Sequence, residues 1–318
     1  MKRLAASWML AWLFFPGIAP VVAGEITGRV IEGASDRAVG GVEVLLLRRG
    51  TQEETGSTVS DAEGRFRFAD AAPGPYLVIA NYLDVPYVRT DISLSDESSR
   101  ATADLQVFLT TTSDEDVIIR ADHLILQTPP EGLRVTEVII FENTGERTYL
   151  GAVSPASPSG YGMFIPLPEG YTDLSAPSWL ESRFFNPTES GFHMTMPIAP
   201  GSVQVTISYG LPEGLLGTVL DRDYPFAVKA VNVAVPRSAG LRVRSADLLE
   251  GQRVSIEGSS FVVSAGGPIA KGAKLRARAL SGVMARGVSG GQITWGLCGL
   301  FTTALGFLWV LRRGRRFD

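Results

Sequence analysis

Cysteine and histidine are almost missing from this 318-residue chain. Cys298 is the one cysteine, and it lies in the last apolar stretch. The region before it can form no intrachain disulfide, so its stability has to come from a buried core. No cysteine follows the N-terminal apolar run either, which excludes a thioether lipid anchor there. His123 and His193 are far apart, and neither has the His-x-x-x-His companion of a zinc site. No Gly-x-Ser-x-Gly elbow occurs, and Ala265-Gly266-Gly267-Pro268 and Ser289-Gly290-Gly291 lack the lysine and spacing of a phosphate loop. No cofactor or metal is expected from these patterns. A serine–histidine–acid set drawn from distant positions stays open as an alternative. Charge is sparse as well. Asp, Glu, Lys and Arg make up 19% of the residues and the net charge is −4, with no clustered basic face for nucleic acid.

Glycine and proline are plentiful, at 35 and 19, and they are spread along the chain. That spacing predicts an all-β protein of many short strands and turns. Two apolar segments frame it. Met1-Lys2-Arg3 precedes an uncharged run, Pro16 and Gly17 break it, and Val21-Val22-Ala23 supplies small residues. This is the order of a secretory signal peptide, expected over 1–23. The uncleaved-anchor alternative has too short an apolar run for a span of roughly 20 residues. Residues 293–311 carry no charge and reach roughly 28 Å as a helix, close to the hydrocarbon thickness. Trp295 and Trp309 stand near its ends, and Arg312, Arg313, Arg315 and Arg316 follow at once. The expectation is one C-terminal transmembrane helix anchored by those six residues, after a linker over 286–292 and before a cytoplasmic basic tail over 312–318. The bulk of the chain then lies on the periplasmic or extracellular side of a cell membrane.

The first exported domain is expected over 24–112. Ile26, Gly28 and Val30 open a strand, and Val42, Val44 and Leu46 share one face, although Leu45 and Leu47 make the other face apolar as well. Arg65-Phe66-Arg67-Phe68 alternates cleanly, with both phenylalanines on the core face. Tyr76, Val78 and Ala80 continue one face after Pro73-Gly74, with Leu77 and Ile79 on the other. Asp61-Ala62-Glu63-Gly64 reads as a hairpin turn. Gly64 takes positive φ and Asp61 accepts backbone N–H groups, in preference to a calcium site built from Asp61, Glu63 and Asp70.

Gly28-Arg29-Val30, the run from Ala38 through Leu46, the run from Thr58 through Phe68, and Pro73-Gly74-Pro75-Tyr76 together resemble carboxypeptidase regulatory-like domains. Ala38 stands where that family often has proline. The resemblance implies a transthyretin-like (prealbumin-type) β-sandwich of the carbohydrate-binding-like group. Such modules are usually non-catalytic accessories or spacers, and the zinc carboxypeptidase catalytic domain is absent. The fold group makes Tyr82 and Tyr87 candidate sugar or partner contacts, provided that they are exposed.

A second β-rich region is expected over 113–285, as one or two immunoglobulin-like sandwiches. Its predicted strands cover 117–126, 133–141, 161–166, 203–209, 226–235, 241–245, 253–256, 260–263 and 274–280. Glu137 shares a face with Val135, Ile139 and Phe141, which makes it an edge residue or a paired charge in preference to a catalytic group. The reading that follows is a non-catalytic, membrane-anchored envelope protein that acts in protein–protein interaction or as a scaffold or assembly accessory. A carbohydrate-binding envelope protein is the alternative, and a hydrolase with a scattered site comes third.

Overall fold

The computed structural model describes residues 24–281, apart from 131, 155–159, 215, 216 and 257. The predicted signal peptide, linker, span and tail, with Trp295, Trp309 and the four arginines, lie outside the described residues. Among the described residues no helix is long and apolar enough to cross a membrane. The architecture is all-β and divides after Val107 into two compact units.

The first unit holds β1 (Gly24–Glu32), β2 (Arg37–Ala38), β3 (Glu43–Arg48), β4 (Glu54–Val59), β5 (Arg65–Ala71), β6 (Gly74–Tyr82), β7 (Val85–Leu94), β8 (Arg100–Thr102) and β9 (Leu105–Val107). One sheet is built around β1, which pairs antiparallel with β2 and β5 and parallel with β8 and β9. The other is an antiparallel sheet in the order β4-β3-β6-β7. Alternation decides which side chains are buried. Ile26, Val30, Val44, Leu46, Phe66, Phe68, Tyr76, Val78 and Ala80 fill the core as their period-two positions require. Register agrees with this, since Val44 faces Ala80 and Leu46 faces Val78 across β3 and β6.

The Asp61 turn forms as its residues dictate. Gly64 has φ +74°, and Asp61 Oδ1 accepts from the backbone N–H groups of Glu63 (3.0 Å) and Arg65 (2.7 Å). Gly28 is needed for a different reason. A Cβ there would lie 2.3 Å from the Ala103 carbonyl oxygen, so only glycine lets the crossing to β9 pass this close.

The second unit begins with β10 (Thr110–Thr111), β11 (Val117–Gln127), β12 (Leu133–Asn143), β13 (Thr148–Tyr149), β14 (Ala152–Val153), β15 (Tyr161–Pro166) and β16 (Thr172–Ser175). The short helix α1 (Ser178–Phe184) leads into β17 (Phe185–Thr188), β18 (Gly191–Met194), β19 (Gly201–Leu211), β20 (Thr218–Val219) and β21 (Arg222–Asp223). Then come β22 (Val231–Pro236), β23 (Leu241–Arg244), β24 (Gln252–Ile256), β25 (Ser259–Gly266), β26 (Lys274–Leu275) and β27 (Arg278–Ser281).

A seven-stranded sheet in the order β16-β19-β12-β11-β22-β25-β24 is the main layer, antiparallel except where β11 and β22 run parallel. Against its inner face lie the small sheets β14-β15-β18-β17, β20-β27-β23 and β21-β26. One continuous apolar cluster joins them, from Ile119, Leu124 and Phe141 to Phe192, Tyr224 and Leu275. Ile125, Ala234 and Phe261 form a smaller cluster apart from it.

Two predicted strands are shorter or broken. The strand expected over 226–235 starts only at Val231, because Val228 is tied by isolated bridges to Ile119 and Ile269. The run 274–280 divides into β26 and β27, which join different sheets.

Candidate functional site

Glu137 sits in the middle of β12 and is fully buried, with apolar neighbours along its own face. A carboxylate can be held there only with compensating partners. Tyr209, on the neighbouring strand β19, donates its hydroxyl to Glu137 Oε2 at 2.7 Å. From β21, Arg222 Nε donates to Glu137 Oε1 at 2.9 Å, and Arg222 Nη2 lies 2.8 Å from the same oxygen. That second approach is a charge contact without hydrogen-bond geometry, and Nη2 has no hydrogen-bond acceptor. Nη1 donates to the carbonyl oxygens of Pro166 and Asp223. Glu137 is thus a paired charge on a central strand, with β19 on one side of β12 and β11 on the other.

Asp122 on β11 is the second buried carboxyl. Tyr224 donates to its Oδ2 at 2.6 Å, and Oδ1 has no partner. Burial first, and then the neighbouring Glu137 carboxylate, push the Asp122 pKa well above the usual carboxylate range, against the pull of Arg222. Burial and the same carboxylates raise both tyrosines, while for Arg222 the carboxylates outweigh burial and hold it charged. The guanidinium carbon stands 5.5 Å from the Tyr224 ring centre, within cation–π range. Asp122, Glu137 and Tyr209 come from the main sheet, and Arg222 and Tyr224 from the facing layer. The five side chains therefore bridge the two layers.

Above this cluster a cleft of about 380 Å3 opens to solvent. Tyr149, Phe164, Pro166, Tyr224 and Phe226 give it a largely apolar lining, with Asp114 and Asp223 at its margin. Both carboxylates are occupied, Asp114 by Lys271 Nζ at 2.7 Å and Asp223 by Lys274 Nζ at 3.3 Å. Phe226 meets Phe141 and Tyr149 edge-on at 5.9 and 6.1 Å, which stiffens the floor. Burial, followed by the Asp114 charge, pushes the Tyr149 hydroxyl up to about 12. The cleft therefore offers shape and apolar surface, with its ionic groups already paired.

The histidines stay apart from one another. His123 is buried, its Nδ1 lies 3.2 Å from Asn232 Nδ2, and burial followed by Arg120 lowers its pKa to about 4. It is a neutral core histidine. His193 packs against Phe164 across β15 and β18, with ring centres 5.1 Å apart and planes tilted by 48°. In the first unit, Tyr82 is half-buried at the end of β6. Tyr87 does not meet the condition of exposure set for a sugar platform. Its register opposite Ala80 turns it to the core face, where it is 7% exposed. Sequence reasoning singled out Glu137 and missed Asp122, Tyr209, Arg222 and Tyr224. The available clue was an acid inside an apolar strand, which requires a cation elsewhere.

Residues 25–110 match the carboxypeptidase regulatory-like domain family, a transthyretin-like β-sandwich. No curated protein matches by sequence. Solved structures align weakly. An M1 zinc metallopeptidase from Deinococcus radiodurans is 17% identical, over 54% of this chain and 43% of that one, with a TM-score of 0.30. A DUF3823 family protein from Parabacteroides merdae is 12% identical, over 57% of this chain and 79% of that one, at 0.23. The major pilin SpaD from Corynebacterium diphtheriae is 10% identical, over 81% of each chain, also at 0.23. This chain spans less than half the length of the metallopeptidase. At these TM-scores the likenesses carry no argument about function.

Proposed function

We propose that this chain is a non-catalytic, membrane-anchored envelope protein whose exported β-sandwich units serve protein–protein interaction. The observation that carries this reading is where the reactive groups have gone. Asp122, Glu137, Tyr209, Arg222 and Tyr224 are all essentially without solvent exposure and bonded to one another, so none can reach a substrate. The open surface beside them is largely apolar, with its two carboxylates paired to lysines. The regulatory-like domain at 25–110 supports an accessory role. The N-terminal leader and the C-terminal span with its arginine cluster, both read from the sequence, place the described units outside the cytoplasm in this reading. The second unit is proposed to be a single immunoglobulin-like sandwich.

Sugar binding has less support, because Tyr87 faces the core and Tyr82 is half-buried. The test is photo-crosslinking in intact cells from a probe replacing Phe164 at the cleft. A reproducible adduct with another envelope protein is expected. Hydrolytic activity that disappears with a serine or histidine substitution would overturn the reading.

A further inference from the structure

The outward face of the β4-β3-β6-β7 sheet carries an apolar strip along its two central strands. Ser57, Leu45, Ile79 and Val88 form one cross-strand row. Glu54, Leu47 and Leu77 form the next row. The preceding row runs Val59, Glu43, Asn81, Pro86. The leucines and Ile79 are half-exposed, Val88 is 49% and Val59 60% exposed. The β6–β7 hairpin extends this sheet with Leu83, which is 48% exposed and held at φ +50°, with Asp84 beside it at +62°. A type I′ turn of this kind is relaxed with asparagine or glycine and strained with leucine. A solvated sheet face ordinarily carries polar residues throughout, whereas here the two central strands, β3 and β6, present only Leu45, Leu47, Leu77 and Ile79 between the row of Glu43 and Asn81 at one end and Arg49 at the other, with Ser57 and Glu54 flanking on β4.

We propose that this face is a self-association surface that takes a second copy of the same chain, sheet against sheet. Charge decides for a copy. Glu43 stands at one end of the strands and Arg49 at the other, both exposed, on either side of Leu45 and Leu47. A two-fold axis lying in the interface and crossing the strands between those leucines sets each Glu43 against the other copy's Arg49. The same operation lays Ile79 near Leu77 of the second copy. Size sets the strength. Four strands about 4.8 Å apart and six residue steps of about 3.3 Å give a footprint of about 400 Å2, near half of the roughly 800 Å2 per partner of a stable complex. The dimer is therefore weak and concentration-dependent, and tethering both copies to one membrane would favour it.

This inference rests on the reading of the first unit as an interaction module and names its partner. The test uses the full-length chain with Cys298→Ser, carrying either Ile79→Cys or, as a control on β8 of the other sheet, Thr102→Cys. Packed sheets are about 10 Å apart, so a short bismaleimide is the matching reagent. A covalent homodimer is expected from Ile79→Cys and at least tenfold less from Thr102→Cys. Glu43→Arg should abolish the Ile79→Cys product, and adding Arg49→Glu should restore it. Equal products from both cysteines, no product at all, or no rescue by the charge swap would overturn the proposal. If Ile79→Cys joins a different protein in cells, self-association falls while the interaction reading stands.

Discussion

The two units keep their layers together by different means. In the first, the described core is apolar apart from Ser60 and Glu32, each held by a local hydrogen bond, and the ion pairs, such as Arg65 with Asp61 and Arg67 with Glu25, lie at the surface. In the second, a charged pair with no exposure stands between the layers. An apolar core tolerates a lost contact in proportion to the area lost, whereas a buried charge stripped of its partner leaves a cost that no neighbour relieves. The first unit should therefore yield gradually to mutation, and the second should fail abruptly at a few positions.

The largest test of that contrast is Arg222→Ala, which leaves Glu137 buried without its cation, with only the Tyr209 hydroxyl bond remaining. It should destabilise the second unit by about 3–5 kcal/mol. Hydrogen exchange resolved by segment should show lost protection after residue 108 and unchanged protection before it. Combining Arg222→Met with Glu137→Leu should recover most of that loss, and failure to recover would mean that the pair does more than balance charge. Tyr209→Phe removes one bond to the carboxylate and should cost about 1.5–3 kcal/mol in urea denaturation.

Acidity gives a third comparison. The Asp122 pKa is higher in the folded state than in the unfolded chain, so its contribution is complete below about pH 4 and is lost as pH rises through the raised value. Stability of the second unit should decline over that rise, and Asp122→Asn should flatten the decline. The smallest effect belongs to the first unit. Tyr76→Phe deletes the 2.5 Å bond from the Tyr76 hydroxyl to the Ala72 carbonyl and the 3.2 Å bond that hydroxyl accepts from Arg48 Nη2, and should cost about 1 kcal/mol by thermal denaturation.

The same contrast explains what could be read from the sequence. Strands β3, β5 and β6 follow from alternation, and the Asp61 turn follows from residue chemistry, because both are local. Strands β11, β12, β15 and β19 also stood out, and β15 spans the predicted 161–166. Helix α1 and strands β16 to β18 did not, since all are too short to show a period and Asn186, Pro187 and Thr188 interrupt the apolar pattern of β17. Glu137 announced a missing cation, but Arg222 is 85 residues away, and no local rule connects them. Between acidic neighbours Asp221 and Asp223, that arginine looks like a surface residue until the fold carries it inward.

Strand order also sets a timetable. The first unit has all its strands once β9 pairs with β1, at residue 107. The second cannot seat β20 or β23 until β27 arrives, and its parallel β11–β22 ladder joins residues more than a hundred positions apart. Contacts that distant in sequence form slowly. During synthesis, a finished first unit should thus precede a long, sticky, half-assembled stretch. That stretch is where a chaperone would have to act.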